Sequence, residues 1–82
     1  MSSIEILRNK GRLAQYKEDA AKLKLKIEGL RDSIRMNLDE FEAVEDLPLD
    51  LVVAQSVEAN ALQIDLIEVN GKIKAINKAL RR

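Results

Sequence analysis

Glu45-Asp46-Leu47-Pro48-Leu49-Asp50 holds the only proline of the chain and the one stretch that reads as a turn. Proline disfavours helical geometry in the residue before it, lacks an N–H, and is accepted in the first turn of a helix. A helix arriving from the amino-terminal side should therefore stop near residues 44 to 46, and a second should start near 48. At the far end, Ser2 and Glu5 have the spacing of a capping box, with Met1 and Ile6 placed as its hydrophobic staple.

Both flanks of this turn carry a heptad. Before it, one seam position is Ile6, Leu13, Ala20, Ile27, Ile34 and Phe41, and its companion is Asn9, Tyr16, Leu23, Leu30, Asn37 and Val44. After it, the positions are Val52, Ala59, Leu66, Ile73 and Leu80, with Gln55, Leu62, Val69 and Ile76. Apolar residues fill all but Asn9, Asn37 and Gln55, which is the sustained pattern of knobs-into-holes packing. The expected fold is all-α, an antiparallel two-helix coiled-coil hairpin over about residues 3–45 and 48–81, with the turn near 45–49 and 1–82 forming a single domain. A register centred on Pro48 faces Val44 with Val52, Phe41 with Gln55, Leu30 with Leu66, Leu23 with Ile73 and Tyr16 with Leu80. Asn9 and Asn37 then read as register devices within the seam. In this register Arg82 reaches Ala14, so residues 1–12 overhang, and Gly11 weakens helix there; this segment is expected to fray or to be covered by another chain.

Composition narrows the function classes. The 82 residues include no Cys and no His, so a disulfide framework, a thiolate metal site, the commonest general base and the commonest zinc ligand are all missing. Aromatics are limited to Tyr16 and Phe41, too few to centre an ordinary globular core. The apolar runs are short, as in Leu51-Val52-Val53-Ala54, and residues 1–6 lack the charged start and apolar stretch of a signal peptide. A cytoplasmic protein that neither spans nor rides on a membrane is expected.

A hairpin with a single seam buries little against the entropy of ordering two long helices. Outside the seam, however, Val53, Val57, Ile64 and Ile67 recur at helical spacings, and the first helix adds Leu25, Met36 and Leu38. Beyond residue 70 the same outer face of the second helix changes to Gly71, Lys74 and Lys78. Val53, Val57, Ile64, Ile67, Met36 and Leu38 are therefore the expected interface of a homodimer, two hairpins forming a four-helix bundle.

Charge is strongly segregated within a neutral total. Residues 1–36 hold nine basic and five acidic side chains, 37–68 hold nine acidic and no basic ones, and 69–82 hold five basic and no acidic ones. Folding into a hairpin gives one acidic pole at the turn and one basic pole at the open end. Asp46 and Asp50 suit the positive start of the second helix, whereas Asp39, Glu40, Glu42 and Glu45 would oppose the dipole at the end of a first helix reaching 45. Asp19 with Lys72, and Lys26 with Asp65, are expected diagonal ion pairs across the seam.

No arrangement here points to catalysis. A metal or acid–base site needs carboxylates converging in a concave pocket, the acidic turn lacks the spacing of a calcium loop, and there is no Gly-rich phosphate loop and no Ser/His/Asp set. The reading is a non-enzyme without metal or cofactor, a protein-interaction or assembly module with a protein partner besides its own copy. The alternative is a small nucleic-acid-binding regulator, in which Lys10, Arg12, Lys72, Lys74, Lys78, Arg81 and Arg82 contact phosphates. In architecture the chain is similar to small dimeric helical hairpins that bind RNA, and in composition it is similar to short accessory proteins of phages and mobile elements.

Overall fold

The structure is a computed structural model describing residues 2–81. It is all-helical: α1 covers Ser3–Asn37 and α2 covers Leu49–Leu80. They run antiparallel, joined by residues 38–48 with one 3₁₀ turn at Val44–Asp46. The result is a rod of 63 × 15 × 14 Å with a radius of gyration of 18.6 Å. A compact chain of this length would have a radius near 12 Å.

Local chemistry accounts for the helix ends. Ser2 is extended and its hydroxyl accepts from the Glu5 N–H at 3.2 Å, as the sequence predicts for the cap. The Met1 half of the predicted staple lies outside the described residues, as does Arg82. At the start of α2, Pro48 has φ −80° and ψ 65°, and the Leu49 N–H donates to the Leu47 carbonyl at 2.9 Å. That is an inverse γ-turn, from which the Pro48 carbonyl accepts the first α2 bond, from Val52 at 3.0 Å. The proline therefore starts α2 within one residue of the expected place.

The end of α1 differs from expectation. The helix stops at Asn37 and does not reach 45. Leu38 caps it, its N–H shared between the Ile34 and Arg35 carbonyls, with Arg35 in the last turn where a cation is favoured. Asp39 then folds the chain away: its side chain accepts from the Phe41 N–H at 3.0 Å, an Asx-turn, and its carbonyl accepts from Glu42 at 3.2 Å. Because α1 ends at Asn37, Asp39, Glu40 and Glu42 lie in the connection and not in the last turn of a helix. Glu45, Asp46 and Asp50 are instead at or just before the start of α2, where negative charge is stabilising.

Ending α1 early moves the register. Gln55 accepts from Asn37 Nδ2 at 3.0 Å and donates to Ser33 Oγ at 2.7 Å, and the Lys72 ammonium lies 5.5 Å from the centre of the Tyr16 ring. These contacts fit a pairing one heptad away from the one centred on Pro48. That pairing sets Ile34 opposite Gln55, Leu30 opposite Ala59, Leu23 opposite Leu66, Ala20 opposite Val69 and Tyr16 opposite Ile73, as the Ser33–Gln55 and Tyr16–Lys72 contacts require. The expected Leu30–Leu66 and Leu23–Ile73 layers are replaced accordingly. Lys72 sits on Tyr16 in place of pairing with Asp19, which accepts from Gln15 at 3.0 Å.

The seam itself is where the heptads place it. Ile6 to Asn37 on α1 and Val52 to Leu80 on α2 are buried or half-buried at every seam position. Phe41 and Val44 are the exceptions, 90% and 77% exposed, because they lie beyond the end of α1. Half-burial is the rule: among the described residues only Ala20 is fully buried.

Candidate self-association surface and charged poles

α2 has two faces. The seam face, from Val52 to Leu80, is turned to α1 and half-buried. The other face carries Val53, Val57, Ile64 and Ile67, each between 58% and 65% exposed. The spacings of four, seven and three residues stack these side chains on one side of a helix. The four residues expected on α2 therefore share one continuous surface directed away from α1.

Met36 belongs to α1 and lines a shallow recess with Asp32 and Arg35. Leu38 is the cap of α1, 47% exposed, with its backbone committed to the last helical turn. Both are exposed apolar residues near the turn end of the rod.

The poles are well separated. Asp39, Glu40, Glu42, Glu45 and Asp46 are exposed in the connection and Asp50 in the first turn of α2. Lys10 and Arg12 on α1, and Lys72, Lys74, Lys78 and Arg81 at the end of α2, are exposed toward the opposite end of the 63 Å axis. Of the basic set, Lys72 is held by Tyr16, a cation–π contact worth roughly 0.5–1 kcal/mol at an exposed site. Ion pairs elsewhere are local to α1, Lys22 with Glu18 at 3.1 Å and Arg31 with Asp32 at 3.3 Å. They lie on the surface and contribute about 0–1 kcal/mol each.

Two features were not visible in the heptad. The first is the clasp of Ser33, Asn37 and Gln55, since Ser33 lies beside the seam and carries no periodic signal. The second is the exposure of Phe41 and Val44 within the acidic connection. The acidic run against the helix dipole was the signal that could have found it.

Among the described residues, no three carboxylates converge where a metal ion could sit, and no helix is long and apolar enough to cross a membrane. An open groove between the helices is lined by Asp19, Lys22, Leu23, Lys26, Asp65 and Val69. Fold and surface together define a class, the antiparallel helical hairpin whose second helix is apolar on two sides. Comparison with known proteins gives no match to any family model, curated protein or solved structure.

Proposed function

We propose that this chain is a non-catalytic assembly module, a helical hairpin that pairs with a second copy to make a four-helix assembly and presents oppositely charged poles to a further partner. One observation carries the reading: the described hairpin buries only Ala20 while its α2 stripe stays more than half exposed. The accessible surface is 6447 Å² for 9.2 kDa. A compact monomer of that mass exposes about 4,900 Å². The excess, about 1,500 Å² per chain, is larger than the roughly 800 Å² that each partner contributes to a standard interface.

The energetics are of the right size. Completing the burial of one of these Val or Ile side chains is worth roughly 1–2 kcal/mol. Eight of them in a dimer give about 8–16 kcal/mol against an association cost of about 4–15 kcal/mol. Dimerisation is thus driven by the stripe, with an affinity sensitive to each member of it. Sedimentation velocity over a dilution series tests this on the native chain and on Ile64→Asp. The native chain should sediment as a dimer at tens of micromolar, and the variant should dissociate at the same concentration. A native species that stays at 9.2 kDa throughout removes the proposal.

A second reading rests on the open end, where the hairpin brings Lys74, Lys78 and Arg81 alongside the amino-terminal part of α1 with Arg8, Lys10 and Arg12. Such a cluster would neutralise several phosphates, and binding would weaken steeply with salt. A gel-shift titration with RNA and DNA at two salt concentrations separates the readings. Salt-sensitive binding abolished by reversing Lys72, Lys74 and Lys78 favours the nucleic-acid function, and no shift at low salt removes it.

A further inference from the structure

The outer face of α2 holds more than four scattered side chains. Val53, Val57, Asn60, Ile64, Ile67, Gly71, Lys74 and Lys78 follow one another at alternating steps of four and three residues. All eight are exposed, and none is a seam residue of the hairpin. This is a second heptad-spaced stripe on the same helix, nearly opposite the first, apolar at Val53, Val57, Ile64 and Ile67 and closed by Gly71, Lys74 and Lys78. α1 occupies one side of α2, and the other side is open to a helix with a matching stripe.

From this surface we infer that α2 packs against α2 of a second copy in antiparallel orientation, with the two-fold axis near residue 62. The inference rests on the proposed self-association and adds its orientation, register and contacting helix. Three observations support it.

Charge decides the orientation. The connection and the first half of α2 are wholly acidic, with nine acidic and no basic side chains between residues 37 and 68. Residues 69–82 carry only basic charges, Lys72, Lys74, Lys78, Arg81 and Arg82. A parallel pair would lay acidic half beside acidic half over its whole length. With the axis near 62, an antiparallel pair lays the basic residues 72–81 beside the acidic residues 43–52 of the partner subunit, while the acidic stretch 56–68 faces its own copy; a parallel pair makes no basic–acidic contact at all, so charge favours the antiparallel orientation.

The apolar pattern decides the register. With the axis near 62, Val57 meets Ile67 of the partner subunit, Ile64 meets the partner's Asn60, and Val53 meets the partner's Gly71. Asp50 then meets the partner's Lys74. Sliding one heptad in one direction sets Ile67 against the partner's Asp50. Sliding one heptad in the other sets Val53 and Val57 against the partner's Lys78 and Lys74. Only the central register keeps all four branched side chains away from charges.

Gly71 is the third observation. A Cβ added there would meet nothing within 4 Å in its own chain, and glycine costs about 1 kcal/mol relative to Ala within a helix. The same open surroundings hold at Gly11 and Gly29, so what sets Gly71 apart is its place in the exposed stripe of α2. In the inferred dimer it faces the Val53 side chain of the second copy, where the missing Cβ lets the helix axes approach.

The absence of native cysteine makes the test direct. Val53→Cys and Gly71→Cys are prepared singly, and each is oxidised alone and after co-refolding as an equimolar mixture. Products are identified by mass, and sedimentation is run on the reduced samples. The antiparallel arrangement predicts the mixed Val53→Cys/Gly71→Cys disulfide as the dominant product, at least tenfold over either symmetric one. Symmetric disulfides from each variant alone mean a parallel dimer and overturn the orientation, while the self-association survives. A reduced dimer that forms none of these disulfides uses another face and overturns the inference. A reduced species of 9.2 kDa that the native chain shares overturns both readings together. Raising salt should weaken the native dimer; strengthening by salt contradicts the charge argument independently of the cysteines.

Discussion

Replacing Gln55 by Ala probes what selects the register. The Gln55 carboxamide makes two bonds across the hairpin, accepting from Asn37 at 3.0 Å and donating to Ser33 at 2.7 Å. Truncation removes both and leaves the Asn37 amide and the Ser33 hydroxyl to find water. All three residues are half-buried, so water returns in part, and each bond contributes near the low end of the usual range, about 0.5–1 kcal/mol. The expected loss is therefore about 1–2 kcal/mol, or a fall in Tm of roughly 4–16 °C for a chain of this size. Thermal circular dichroism at one fixed protein concentration reads this, since any self-association makes Tm depend on concentration. A double-mutant cycle with Asn37→Ala should return a coupling of about 0.5 kcal/mol or more, as expected for directly bonded neighbours. An unchanged Tm for Gln55→Ala, or strict additivity with Asn37→Ala, would refute the claim that this clasp holds the helices in place.

Three further outcomes follow from exposure and packing. Phe41→Ser should change stability by less than about 0.5 kcal/mol, because the ring is 90% exposed; a loss of the size seen for core aromatics in thermal melts would place it in the seam after all. Leu23→Ala, by contrast, should cost about 2 kcal/mol or more in urea titrations, since Leu23 is a half-buried seam residue facing Leu66. Gly29→Ala should raise Tm, with a gain of about 0.5–1 kcal/mol, because an added Cβ meets nothing within 4 Å and the helix gains propensity; a lower Tm would reveal a close neighbour at that face.

Periodicity made the secondary structure legible and hid the register. The seam residues from Ile6 to Asn37 and from Val52 to Leu80 were readable because apolar side chains recur every three or four positions. A pattern that repeats every seven residues is silent about a shift of seven. Ile34 can face Gln55 as well as Leu62, and Leu30 can face Ala59 as well as Leu66. Pro48 marks the start of α2 and not the centre of the bend. The actual discriminators are polar. Asn37 and Gln55 satisfy each other in one register, whereas in the other they would lie beside Ala59 and Phe41. Asp39, Glu40 and Glu42 oppose a helix end at 45 and accept one at 37. The surface stripe on α2 was legible for the same reason as the seam, since spacing alone assigns a face.

Disulfide trapping within one chain tests the hairpin and its register together. Ala20→Cys combined with Val69→Cys should close an intrachain disulfide in dilute solution, giving a compact species of unchanged mass, because the register set by the Ser33–Gln55 and Tyr16–Lys72 contacts places these positions opposite each other. Ala20→Cys combined with Ile76→Cys, the pair matched by a bend centred on Pro48, should not. Closure of the second pair in preference to the first, or linkage only between separate chains, would contradict the account.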